Sequence, residues 1–306
     1  MCVIMVISPI FYMGNKRKLV THGLCELFPQ GISTYYEPFA GSAVVGMNVS
    51  ADAWYINDLY APLYLMYNMF ADYKAEDIIS FVEKQIDTYG LPRERTKRNV
   101  YKDEGKIEQY KQAYHTYRKV VNEYEGADKA LYIYSLMFFA FSQQMRFNNK
   151  GQFNMPFGND CFSEDNKKYI RNGCDFFSRK AVSITQQSFD VFLDDVLSKA
   201  ADNAFVYLDP PYMNTTAIYN EGGTNKQVPA WSAETEKLLY SYCDKLTERG
   251  ISFALSNVFE NKGKKNDMLI EWSSKYNVLH FTGHTYMACG KGNAATDEVL
   301  IFNYTR

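Results

Sequence analysis

The stretch V-Y-L-D-P-P-Y-M, residues 206–213, decides how the chain is organised. An apolar run with strand character meets an acid, two prolines and a tyrosine. β-branched and aromatic side chains suit the pleated, buried surface of a strand. Pro210 and Pro211 fix φ and lack an N–H, so the strand ends at Asp209 in a stiff turn. The prolines of that turn offer carbonyl acceptors and no amide donors. With the acid of Asp209 and the flat face of Tyr212, it forms a rigid acceptor cluster suited to a planar group carrying an NH2.

Outward from this turn, further short runs rich in Val, Ile, Tyr and Phe read as strands: 34–37, 54–57, 181–185, 205–208, 251–255, 277–281 and 299–304. Several are apolar without alternation, the pattern of a sheet covered on both faces. In 233–249 the residues Leu238, Leu239, Tyr242 and Leu246 share a helical face, with Ser232 placed to cap the helix and Gly250 to end it. Strands alternating with helices predict a doubly wound α/β layer. From about Ala71 to Met145 the signals are helical only. Ile78, Ile79, Val82 and Ile86 make one amphipathic face, 109–124 is rich in Tyr and Lys, and 128–145 is apolar nearly all round. A helical block between early and late strands predicts an inserted second domain. We expect a catalytic domain over 1–70 and 176–306 and a target-recognition domain over 71–175.

The composition narrows the function classes. The chain has 306 residues, 46% hydrophobic and 16% aromatic, which is globular and not disordered. Formal net charge is −2, so any nucleic acid must be held by a local basic surface. The 6 cysteines form no C-x-x-C pair and read as reduced thiols of a cytoplasmic protein. The 4 histidines are isolated, so no metal site is expected. The apolar start, residues 1–10, lacks a basic region and a cleavage site and is not read as a signal peptide. The run 131–141 is too short to span a bilayer and reads as a buried helix.

Other constellations carry less information singly. E-P-F-A-G-S-A, residues 37–43, follows a strand; Gly41 allows a tight turn, and a following helix would aim its free N–H groups at a ligand. Asp58, in N-D-L, lies near the offset of about 20 residues at which an acid holds ribose hydroxyls in Rossmann-like units. Helix capping explains Asp58 equally well. Y-M-G-N-K-R-K, residues 12–18, is by itself a basic loop. R-F-N-N-K-G-Q-F-N-M-P-F-G, residues 146–158, mixes cations, amides and aromatics around a hairpin signal at 149–151. Arg can grip guanine, Asn can read adenine, and Phe can wedge at an opened step. The stretch 91–102 is basic, as a solvated face or a phosphate-facing one.

Taken in order, Y-x-G-N-K, P-F-A-G, N-D, the block 146–158, V-Y-L-D-P-P-Y, R-G-I-S-F-A-L-S-N-V and T-D-E-V-L-I-F-N resemble the Dam-type DNA adenine-N6 methyltransferases of the D12 class, especially the Dam enzymes of T-even bacteriophages. The resemblance runs from Tyr12 to about Tyr304. It implies a Rossmann-like sheet binding S-adenosylmethionine, with an inserted, mostly helical recognition domain that carries a β-hairpin. It implies Asp209, Pro210 and Tyr212 as catalytic. Tyr12, Lys16, Phe39, Gly41, Asp58, Phe189 and Asp209 would hold the cofactor, and Phe141, Ser142, Arg146, Asn148 and Pro156 would meet DNA. The partner would be double-stranded DNA, the protein a monomer or weak dimer, and the gene paired with a restriction endonuclease or carried by a phage.

The family's usual site is GATC. Here Asn159 and Asp160 follow P-F-G where phage relatives carry a basic residue; a carboxylate cannot donate to guanine but accepts from a cytosine amino group. Rival readings are a cytosine-N4 methyltransferase, which usually has Ser in place of Asp209, an RNA or protein-amide methyltransferase, and a non-catalytic DNA-binding protein.

Overall fold

The computed structural model describes residues 5–95, 104–213, 231–281 and 296–306. Two compact units emerge: one of residues 1–22, 41–48 and 60–184, the other of 23–40, 49–59 and 185–306. The basic stretch at 91–102 falls outside the described residues from 96 onward.

The first unit is helical: α1 (Arg17–Thr21), α2 (Ala61–Asp72), α3 (Ala75–Tyr89), α4 (Glu104–Glu123), α5 (Lys129–Met137) and α6 (Glu164–Phe177). On α3 the predicted face is the buried one: Ile78, Ile79, Val82 and Ile86 are all in the core. Gly90, at φ 69°, ends α3 in the left-handed conformation. A capping box between Ser163 and Asn166 starts α6. Tyrosines enter this core because their hydroxyls find acceptors: Tyr114 donates to the Met155 carbonyl at 2.7 Å and Tyr134 to the Pro9 carbonyl at 3.1 Å. The N-terminal segment is held here too, with Asn172 donating to the Ile7 carbonyl and Asn48 bonding the Val6 backbone on both sides. This is why the unit gathers residues 1–22 and 41–48, outside the inserted block expected from periodicity.

The helix expected over 128–145 stops at Met137. Beyond it, the Gly158 amide donates to the Phe139 carbonyl at 2.8 Å and the Phe141 amide to the Pro156 carbonyl at 2.9 Å. Backbone groups spent on that neighbouring strand are not available to a helix. Ser142 and Gln143 then take φ of 56° and 53°.

The second unit holds the sheet: β1 (Ile32–Glu37), β2 (Ala51–Asn57), β3 (Val182–Thr185, whose last residue belongs to this unit), β4 (Ala204–Leu208), β5 (Ser252–Asn261), β6 (Lys264–Lys265), β7 (Asn277–Phe281) and β8 (Thr296–Phe302). Among the described residues the sheet has eight strands, in the order β3-β2-β1-β4-β5-β8-β7, with β6 on β5. The pairs β1/β2, β1/β4 and β4/β5 are parallel; β5/β8 and β7/β8 are antiparallel. Every residue of β4 is buried. On one face Val206 and Leu208 join Leu193 and Val196 of α7 (Phe189–Lys199) and Leu239 and Leu246 of α8 (Ala233–Glu248). On the other, Phe205 and Tyr207 pack on Phe28, with ring centres 4.8 and 5.3 Å apart. Burial on both faces accounts for the unbroken apolar run read in the sequence. Ser232 caps α8 through the Thr235 amide, and Gly250 follows its end at φ 71°. A short helix, α9 (Asp267–Ser273), follows β6.

The helix expected after Gly41 does not form. Gly41 and Ala43 both have positive φ, 53° and 56°, and only a short 3-10 turn at Gly46–Asn48 intervenes before β2. Left-handed residues two apart cannot start an α-helix, so no helix N-terminus lies at this loop.

Candidate active site and nucleic-acid interface

In the sheet unit, the chain leaves β1 for β2 on one side and leaves β4 for β5 on the other. The carboxyl ends of β1 and β4 are therefore a topological switch point, the place where open α/β sheets bind ligands. The register pairs Tyr36 with Val206, so Phe39 and Asp209 each stand the third residue beyond that pair. Asp209 is half-buried and Pro210 buried. The Tyr212 hydroxyl donates to Asp209 Oδ1 at 2.7 Å, which ties the ring beside the carboxylate. Beneath the turn, the Tyr207 and Ser256 hydroxyls bond at 2.7 Å.

Phe39 is half-buried, and its ring lies 5.4 Å from that of Phe189, which opens α7. Trp231, ahead of α8, completes the group at 5.8 Å from Phe39 and 5.7 Å from Phe189. Asp58 is half-buried in the β2-to-α2 connection, two residues before Tyr60, the N-cap of α2. These rings and the half-buried acid are a donor and acceptor set that fits an adenosine: flat apolar faces for a purine and a carboxylate for ribose hydroxyls.

Sequence reasoning passed over Asn57, which is fully buried. Its Nδ2 donates to the Pro38 carbonyl at 2.9 Å and the Gln187 carbonyl at 3.0 Å. Its Oδ1 accepts from the Thr185 hydroxyl at 2.8 Å and the Gln187 amide at 2.9 Å. It thus fastens the loops that carry Phe39 and Phe189. A polar residue closing the apolar run of β2 was the one signal that pointed to it.

The helical unit carries the other predicted residues. The ring of Tyr12 lies against Gly41, where a Cβ would come within 3.2 Å of it, and 6.4 Å from that of Tyr60. Tyr67 donates to the Gly41 carbonyl at 2.6 Å. Glycine is needed at position 41 for its φ and for the close approach of Tyr12. Lys16 is only 3% exposed.

Residues 146–158 form an irregular hairpin. Phe147 and Phe153 face each other across it, and the Asn154 amide donates to the Arg146 carbonyl at 2.9 Å. Both phenylalanines are buried, so they anchor the hairpin and do not serve as wedges. The exposed aromatic is Phe141, 50% accessible beside the left-handed Ser142. Asn148 turns inward to the loop: its Oδ1 accepts from the amides of Lys150 and Gln152, and its Nδ2 donates to Gln152. That is an Asx-type turn, which occupies the amide expected to read adenine. Arg146 is half-buried; Nε and Nη2 both donate to Asn154, at 2.9 Å each, which fixes the plane of its guanidinium. Pro156 is exposed. Asp160, read as an acid able to accept from a cytosine amino group, here accepts from Arg95 Nε at 2.9 Å.

No helix among the described residues is long and apolar enough to cross a membrane. A family model described as D12 class N6 adenine-specific DNA methyltransferase matches residues 12–287. The chain is 33% identical over 302 residues to the Type II methyltransferase M.FokI of Planomicrobium okeanokoites, covering 97% of this chain and 43% of that protein. It is equally similar, at 33% with the same coverage, to the modification methylase StsI of Streptococcus sanguinis. A DNA adenine methylase of Vibrio cholerae is 25% identical over 268 residues, 86% of this chain and 84% of that one. The chain spans less than half the length of M.FokI and StsI. A sheet with the acceptor turn at its switch point, together with a family match over nearly its whole length, places this chain in the D12 class of N6 adenine-specific DNA methyltransferases.

Proposed function

We propose that the chain transfers a methyl group from S-adenosylmethionine to N6 of an adenine flipped out of duplex DNA. The observation that carries this is the Asp209–Pro210–Pro211–Tyr212 turn at the sheet's switch point, beside the Phe39 loop. Adenine's amino nitrogen is a poor nucleophile because its lone pair is delocalised into the ring. The Asp209 carboxylate and the Pro210 carbonyl each accept one of its N–H bonds, which turns the lone pair toward the methyl donor. As the nitrogen gains positive charge, Asp209 stabilises it in place, a preorganised electrostatic effect, and the surplus N6 proton then passes to water. Tyr212, tethered to Asp209, offers its ring to the flipped base. When bound, S-adenosylmethionine supplies the methyl group and an intrinsic leaving group. Phe39 and Phe189 hold the adenosyl side and Asp58 the ribose, with Tyr12, Lys16 and Gly41 added on motif match. The functional division is 1–70 with 176–306 for catalysis and 71–175 for DNA, where Phe141, Ser142, Arg146, Asn148 and Pro156 make contact. The relatives' names support a role beside a restriction endonuclease. The test is to methylate a randomised duplex library and sequence it for N6-methyladenine, with GATC or a related short site as the expected motif. Methylation of cytosine alone, or of no duplex, sinks the reading.

Asp58→Ala is expected to weaken S-adenosylmethionine binding by about 1–3 kcal/mol, the scale of a hydrogen bond to a charged group. Calorimetry giving unchanged affinity would remove Asp58 from the cofactor site.

Arg146→Ala is expected to cost about 1–3 kcal/mol at one base pair and to relax the motif there, because Asn154 orients the guanidinium as a fixed fork. A phosphate contact would weaken all sequences alike and lower the salt slope by about one. Asp160→Asn, by contrast, releases Arg95, and the same library shows whether a second base pair changes.

A further inference from the structure

The half-buried Trp231 sits at the carboxyl end of the sheet, against two rings at the proposed cofactor site, and its indole is held by a fully buried carboxylate. Trp231 Nε1 donates to Glu236 Oε2 at 3.0 Å. Glu236 Oε1 receives the Tyr240 hydroxyl at 2.6 Å, Asn266 Nδ2 at 3.1 Å and Asn257 Nδ2 at 3.3 Å. Burial and the Glu236 carboxylate push the Tyr240 hydroxyl up, so it remains a donor. Each amide is itself pinned. Asn257 accepts from the Val258 amide at 2.7 Å, and Asn266 caps α9 through the Leu269 amide at 3.2 Å.

A buried carboxylate costs several kcal/mol of desolvation unless its oxygens are satisfied. Here one oxygen is spent on β5, α8 and α9, and the other is reserved for a ring that is not itself fully buried. Filling the core would not require this, since an apolar side chain beside Phe189 would do so without a buried charge. The network fixes the plane of an indole at the end of the sheet where a ligand is bound. A purine stacks on such flat faces.

We propose that Trp231 is a third aromatic wall of the adenosyl site, with Phe39 and Phe189, and that Glu236 is the positioning residue that sets it. The inference rests on the reading of Phe39 and Phe189 as the cofactor side. It requires one oxygen in particular. In Glu236→Gln the amide oxygen keeps the Tyr240, Asn257 and Asn266 donors, and the NH2 then meets the indole N–H, donor against donor. The indole must swing away.

The test is equilibrium binding of S-adenosylmethionine to the full chain by calorimetry, without DNA. Trp231→Ala and Glu236→Gln should each weaken binding about tenfold or more, about 1.4 kcal/mol. Trp231→Phe keeps a ring and removes the N–H. In that background Glu236→Gln should cost almost nothing, because the opposing donor is gone. An equal loss from Glu236→Gln in both backgrounds would show that Glu236 acts through general packing and would overturn the positioning role. Wild-type affinity in Trp231→Ala would overturn the proposal outright, and this variant carries the test if Glu236→Gln does not fold. A wild-type chain that binds no S-adenosylmethionine would overturn the cofactor reading itself, and this inference with it.

Discussion

Asp209→Ala is expected to remove methyl transfer, lowering the single-turnover rate by at least about 10²–10³-fold, the scale seen when one preorganised charge-stabilising group is removed. The side chain is half-buried and lies past the end of β4, whose five residues supply the core contacts. Its loss leaves that core intact and removes the acceptor of the Tyr212 hydroxyl. Thermal unfolding should therefore stay near wild type while chemistry stops. Asp209→Asn is the sharper variant. It keeps the size and one acceptor but presents an NH2 to the region where charge develops. Tyr212→Phe separates the two partners: it deletes the tether and keeps the ring, so its rate should fall far less than that of either Asp209 variant. Transfer by folded Asp209→Ala at near wild-type rate would falsify the mechanism.

Asn57→Ala is expected to be the most damaging substitution for stability among the residues of the site, at about 3 kcal/mol. The side chain is fully buried, and its removal strands the Pro38 and Gln187 carbonyls, the Gln187 amide and the Thr185 hydroxyl. Each buried group left unsatisfied costs about 1–3 kcal/mol, partly relieved where water enters. Pro38 immediately precedes Phe39 and Gln187 lies two residues before Phe189, so cofactor affinity should fall with stability. Asn57→Asp tests the direction of the bonds: it keeps an acceptor for Thr185 and Gln187 but opposes two carbonyls with a carboxylate, and should be at least as destabilising. Urea unfolding and calorimetry on the same samples measure both effects. A stability loss below about 1 kcal/mol, with affinity unchanged, would show that the loops hold their course without Asn57.

Much of the fold was legible locally. The prolines after Asp209 stop a strand wherever they occur, because they fix φ and lack a donor. The run 277–281 is β7 to the residue, and the cap and stop of α8 were read from Ser232 and Gly250. The amphipathic face of α3 needed only the helical period. Each of these signals depends on residues within one or two turns of each other.

Only the tertiary structure decided the rest. α5 stops at Met137 because backbone groups beyond it are taken by Pro156 and Gly158, and the apolar pattern there continues regardless. No helix follows Gly41, since Ala43 adopts a left-handed conformation that no propensity announces. Phe147 and Phe141 lie six residues apart, yet the first is buried as an anchor and the second exposed. Asn57 meets Gln187 across 130 residues of chain, and Glu236 meets Asn266 across 30. The sequence determined the strand-ending acceptor turn, because that turn is made by consecutive residues. Which side chains hold the surrounding rings was decided by hydrogen bonds between distant segments, and a bond of that kind leaves no period, cap or breaker for the sequence to display.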